Sequence, residues 1–157
     1  MILYHGTNID FNEIDIEKSN SYKDFGKGFY LTDIKEQAER MAIKKSRIFG
    51  GEPIVQHYEF EITEDIKKEL NILIFDKPNK IWADFIYKNR NRKVQYKHNY
   101  DIVVSPIADD GVAYLLSRYD EGTLSIDELA NELEYKQLNN QYFFGTEKSI
   151  KLLKRIC

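Results

Sequence analysis

The sequence predicts an α+β fold, and three observations carry that expectation. Apolar residues alternate with a period of two in some segments and recur at three- and four-residue spacing in others. The two patterns follow one another irregularly, so strands flanked by helices fit better than a repeated strand–helix–strand array. No internal repeat, low-complexity tract or Pro/Gly/Ser-rich linker interrupts the 157 residues, which predicts a single domain over 1–157.

Each element has a local reason. Met1–Tyr4 is a short apolar strand that delivers His5 at its end. Asp33 with Glu36 makes a capping-box-like start for a helix over Ile34–Ile48, with Ile34, Ala38, Met41, Ala42 and Ile48 on one face. Gly50-Gly51 stops it. Ile54–Ile62 alternates, setting Ile54, Tyr58, Phe60 and Ile62 against Val55, His57, Glu59 and Glu61, as a half-buried strand does. Leu70–Phe75 is a second, more apolar strand. Pro78 opens a helix that buries Ile81, Trp82, Phe85 and Ile86. Tyr100–Ile107 reads as a strand and Val112–Tyr119 as a helix. Ser125 with Glu128 caps a further helix bearing Ile126, Leu129 and Leu133. A strand at Gln141–Phe144 precedes a last helix, whose Lys151–Arg155 end complements its dipole.

Bulk properties narrow the function. A net charge of −3 argues against a dedicated nucleic-acid binder, which needs a broad basic surface. No apolar run approaches the ~20 residues of a membrane helix. The start MILYHGTN lacks the basic and long apolar segments of a signal peptide, so the expectation is a cytoplasmic protein with no membrane association. Cys157 is the sole cysteine, which excludes disulfides and cysteine-based metal sites within the chain. His57 and His98 have no ligand spacing with any carboxylate cluster, so no metal is expected. Eleven tyrosines and nine phenylalanines exceed the needs of one core and point to an aromatic cleft for flat ligands.

Two segments carry the functional signal: LYHGT at Leu3–Thr7 and FGKGFYLTD at Phe25–Asp33. Near the C-terminus stands NQYFF, Asn140–Phe144, followed by GTEKSI. Together and in this order they resemble the diphtheria-toxin-like branch of the ADP-ribosyltransferases, which includes the poly(ADP-ribose) polymerases and uses a His…Tyr…Glu triad. The whole chain also resembles a compact bacterial family of that superfamily with HGT, KDFGKGFYLT, IADD and NQY segments. The resemblance implies a split β-sandwich of two small, mostly antiparallel sheets with flanking helices. It implies cleavage of the nicotinamide–ribose bond of NAD, the co-substrate, and transfer of ADP-ribose to a protein or nucleic-acid acceptor. It further implies a setting as the toxin of a toxin–antitoxin pair or as a phage-encoded inhibitor of host defence, such as an anti-CRISPR transferase. The partner would then be an antitoxin or a host-defence protein.

On that resemblance His5 orients the dinucleotide through a ribose hydroxyl, and the Gly6 backbone pairs with the nicotinamide carboxamide. Tyr30 stacks on the nicotinamide, while Thr7, Lys27, Gly28 and Met41 complete the cofactor-binding set. The triad's glutamate is replaced by Gln141. An amide holds ribose hydroxyls but supplies only a dipole to the oxocarbenium-like ribose, and it is no general base. Single transfer is therefore expected, not polymer elongation. Asp109 or Asp110, in the IADD segment, is the expected source of the missing carboxylate, although a helix cap is the commoner use of such a pair. Met41 stands where the polymerases carry a second stacking tyrosine, and Ala38 where they carry a serine. A non-catalytic module binding NAD, ADP-ribose or a protein is the alternative, and an NAD glycohydrolase a third.

The basic run Lys88, Arg90, Arg92, Lys93 and Lys97 reads first as a solvated loop and second as a phosphate-contacting surface. Lys18 and Lys23 lie close enough in sequence to FGKGFY to reach phosphates.

Overall fold

The computed structural model describes residues 1–76, 80–107, 110–134 and 140–157. Among them seven strands form one curled sheet with six α-helices around it, so the α+β expectation holds. The strands are β1 Ile2–Thr7, β2 Phe29–Thr32, β3 Ile54–Glu59, β4 Ile72–Ile74, β5 Ile102–Pro106, β6 Asn140–Phe144 and β7 Lys154–Arg155. The helices are α1 Lys35–Phe49, α2 Glu64–Glu69, α3 Lys80–Arg90, α4 Asp110–Asp120, α5 Ile126–Glu134 and α6 Glu147–Ile150. The order across the sheet is β4-β5-β6-β2-β1-β3-β7, and only β4–β5 is parallel.

Strand alternation divides the core in two. Val103 and Phe143 point toward α3, α4 and α5, where Trp82, Ile86, Val112 and Leu129 are fully enclosed. Ile102, Val104, Tyr142 and Phe144 point the other way, onto Leu3, Leu31, Tyr58 and Phe60. The second cluster explains the curl. Phe60, the residue after β3, meets Phe144 of β6 ring to ring at 5.0 Å. In a flat sheet those strands, three steps apart, would be about 14 Å away from each other. Burying both apolar faces bends the sheet over itself.

Several local expectations are met. Glu128 N–H donates to the Ser125 hydroxyl and Ser125 N–H to the Glu128 carboxylate, a complete capping box for α5. Gly50, with φ 82°, ends α1 in a conformation that side chains resist.

Others are corrected. Asp33 does not cap α1: the cap residue is Ile34, whose N–H goes to the Thr32 hydroxyl. Of the expected apolar face of α1, Ala38 and Ala42 are buried, but Met41 and Ile48 are exposed. Ile81 of α3 is exposed as well. Helix α2, capped by Thr63, went unread because its sequence EDIKKE offers no apolar period. The expected terminal helix is one turn only; Lys154–Arg155 is instead strand β7, since pairing with Tyr58 and Glu59 satisfies its backbone. The expected helix opener Pro78 lies outside the described residues. Among those described, no helix is long and apolar enough to cross a membrane.

Candidate active site

β2 is paired differently on its two sides. With β6 it shares four positions, from Phe29↔Phe144 to Thr32↔Gln141. With β1 it shares one, Tyr4↔Thr32, after which the ladder stops. In that register Gly6 would face Tyr30. Instead the Tyr30 carbonyl accepts a 2.7 Å hydrogen bond from His5 Nδ1, so a side chain spans the place of the missing rungs. A cavity of about 1150 Å³ opens there, lined by His5, Gly6 and Thr7 from β1 and by Gly28, Tyr30 and Leu31 from around β2. Gln141 of β6 and Met41 and Lys45 of α1 also line it. This exceeds the usual drug-sized pocket and is large enough for a dinucleotide.

The expected triad converges on this cavity from opposite faces. By alternation, His5 lies on the side of Leu3, packed 4.2 Å from the Phe29 ring, while Tyr30 and Gln141 lie on the side of Phe143. They share one space only because the sheet is open between β1 and β2. Burial, with Lys45 and Lys23 nearby, pushes the His5 imidazole down to about 3, so the ring is neutral at pH 7. A carbonyl only accepts, so Nδ1 carries the proton and Nε2 is left as an acceptor.

Tyr30 is clamped. Its hydroxyl donates to the Gly26 carbonyl at 2.5 Å and accepts from Phe25 N–H at 3.1 Å. Burial raises its pKa well above the ordinary phenol value, which excludes it as a base. Its ring packs on Phe143, and the Lys23 ammonium lies over it, 5.1 Å from the centroid. The face expected to receive nicotinamide therefore holds a cation.

Gln141 has an unforeseen neighbour. Its Nε2 donates to Asp24 Oδ2 at 3.0 Å, and Arg90 binds Oδ1 of the same carboxylate through Nε at 2.5 Å and also through Nη2. Asp24 is the acid in KDFGKGFY, and its side chain is only 13% exposed. Because the carboxylate only accepts, the amide nitrogen must face it and Gln141 Oε1 is freed as an acceptor. Asp109, one of the two expected carboxylates, lies outside the described residues, and Asp110 opens α4.

The remaining expected residues divide. Gly6 and Gly28 line the cavity, but their lack of a side chain serves packing. A Cβ on Gly6 would overlap the Ala38 carbonyl and meet Ala42 N at 2.8 Å; one on Gly28 would overlap the Phe143 ring. Helix α1 and strand β6 fill the space that a side chain would need. Thr7 lines the cavity with its hydroxyl engaged to Ile9. Met41 is half exposed at the rim. Lys27 is not brought in: it pairs with Glu17 at 2.8 Å. Of the basic run, Lys88 pairs with Asp84 and Arg92 lies over Tyr22, so only Arg90 reaches the cavity. His98 binds the Phe25 carbonyl, and among the described residues no group of acids, histidines and cysteine could hold a metal ion.

Asp24, Arg90 and Lys45 escaped the sequence reading in these roles. Lys45 did carry a signal, since it stands three and seven residues after Ala42 and Ala38, on the helix face that packs against β1.

A family model described as "Protein of unknown function (DUF3990)" matches residues 1–155. The chain belongs to that family. No curated protein and no solved structure matches it.

Proposed function

We propose that the chain is a mono-ADP-ribosyltransferase of the His-Tyr type, built on a split β-sandwich whose split is the opening between β1 and β2. The single observation that carries the reading is the convergence of His5, Tyr30 and Gln141, from three strands, on one cavity of dinucleotide size. The Asp24 carboxylate beside Gln141 adds to it.

The residues then divide the chemistry. Neutral His5 accepts a ribose hydroxyl proton at Nε2. The pyridinium of NAD displaces Lys23 over Tyr30, one cation replacing another on the same ring face. Gln141 Oε1 accepts from a hydroxyl of the nicotinamide ribose. As the C–N bond breaks, nicotinamide leaves with the electron pair and C1′ becomes oxocarbenium-like. Asp24, held in place by Arg90 and Gln141, supplies the negative charge that the amide lacks. An acceptor nucleophile then bonds to C1′ and releases its proton. In the cell the reading corresponds to a toxin or an inhibitor of host defence.

The test is incubation of the full chain with labelled NAD and cell extract. Nicotinamide release and label transfer are expected, both falling about 100-fold or more in His5→Ala. Release without labelling would make it a glycohydrolase; binding without release, a module. No interaction with NAD at all would end the reading.

A further inference from the structure

The charged groups facing the cavity are unequally matched. Asp24 is held by Arg90 and Gln141, and Asp10 by Arg155 and Gln56. Asp15 caps the short turn at Ile16–Lys18 through Glu17 N–H, while Glu13 and Lys18 are exposed at the rim. Lys23 and Lys45 differ. Among the described residues neither makes a salt bridge.

Their positions are defined from opposite sides of the opening. Lys45 comes from α1 and turns inward, donating one ammonium proton to the Gly6 carbonyl at 3.0 Å. Two donors remain. Lys23 comes from the segment before β2 and rests on the Tyr30 ring. Burial, then repulsion from Lys23, pushes Lys45 down to about 8, and after burial both lysines also depress His5. Burial also lowers Lys23, with Asp24 opposing. Two confined ammoniums without a bound carboxylate are costly unless an anion joins them.

We infer that Lys45 and Lys23 form a subsite for a phosphoryl anion in the opening between β1 and β2, with Lys45 as its fixed donor. Two separated point charges suit a diphosphate better than a single carboxylate, and ammonium binds phosphate as a point charge without needing a planar match. The subsite itself needs no NAD; that the diphosphate belongs to NAD rests on the transferase reading.

Calorimetry with inorganic pyrophosphate on the full chain tests this. Lys45→Met is expected to weaken binding about tenfold or more and Lys23→Met less, while Lys45→Arg retains most of it and Lys88→Met changes nothing. Binding should also weaken between pH 7 and about pH 9.5, as Lys45 loses its proton. Amine labelling of Lys45 in the unmodified chain should be slowed by pyrophosphate, a readout that needs no variant. Unchanged labelling, or pyrophosphate binding in Lys45→Met and in Lys23→Met as tight as in the unmodified chain, overturns the subsite. Pyrophosphate binding without NAD turnover would retire the transferase reading and leave the subsite. NAD turnover with an unchanged KM in Lys45→Met would do the reverse.

Discussion

The two seams of β2 show what closing and opening a ladder each contribute. On the β6 side, four paired positions place Phe143 and Phe144 into the two cores, and the seam is rigid because both faces are packed. On the β1 side one pair is made and His5 bridges the rest. The closed seam fixes Gln141 and the clamped Tyr30 within the sheet. The open seam exposes backbone, imidazole and two ammoniums to a common space. Catalytic groups placed at the end of a rigid ladder are held accurately without filling the volume that a substrate requires.

The largest effect should come from prying α1 off β1, the strand on the open side. In Gly6→Ala the added methyl overlaps the Ala38 carbonyl, which belongs to backbone and cannot rotate away. A loss of about 3 kcal/mol or more is expected from urea unfolding, because α1 must move off β1. An unchanged midpoint would mean that α1 does not pack there.

Next comes an exchange across the closed seam. Asp24→Asn and Gln141→Glu should each lower nicotinamide release about tenfold or more, the first by removing the charge and the second by setting two carboxylates together. The double variant restores one amide and one acid, with their places exchanged, and should recover most of the loss. A double variant no better than the worse single one would reduce Asp24 to an anchor for Arg90.

The effect that is smallest at pH 7 is a slope that develops below it. Folded His5 titrates at about 3 and the unfolded residue at 6.5. Between those values the unfolded chain binds a proton that the folded chain refuses, so stability falls as the pH drops from 6.5 toward 3. His5→Gln should flatten this fall in urea midpoints, with little change near pH 7. An equal slope in the variant would show that the ring is not buried.

The motifs LYHGT, FGKGFY and NQYFF were legible because each sets its polar residues on or beside an apolar strand, although His5 falls inside β1 and not at the end of a Met1–Tyr4 strand. The α+β class was legible in the alternation of Ile54–Glu59 and the capping box of α5. The Arg90–Asp24–Gln141 chain was not, because Asp24 is 66 positions from Arg90 and 117 from Gln141. Only the fold brings them together. Lys45 shares the spacing of Ala38 and Ala42, and the packing of Gly6 on Ala38 shows which way that face turns. Gly6 is expected to serve through its backbone, yet the closeness of α1 accounts for its lack of a side chain. Short pieces such as β7 and α2 carry too few residues for a period to show.

Trp82, the chain's one tryptophan, is completely enclosed, and its indole N–H donates to the Ser105 hydroxyl at 3.0 Å. Ser105 is the register partner of Gln141. The molecule thus carries a single tryptophan one strand away from its proposed site, buried on the same face of the sheet as Gln141. Its emission can follow occupancy at Gln141 by titration, with no label attached.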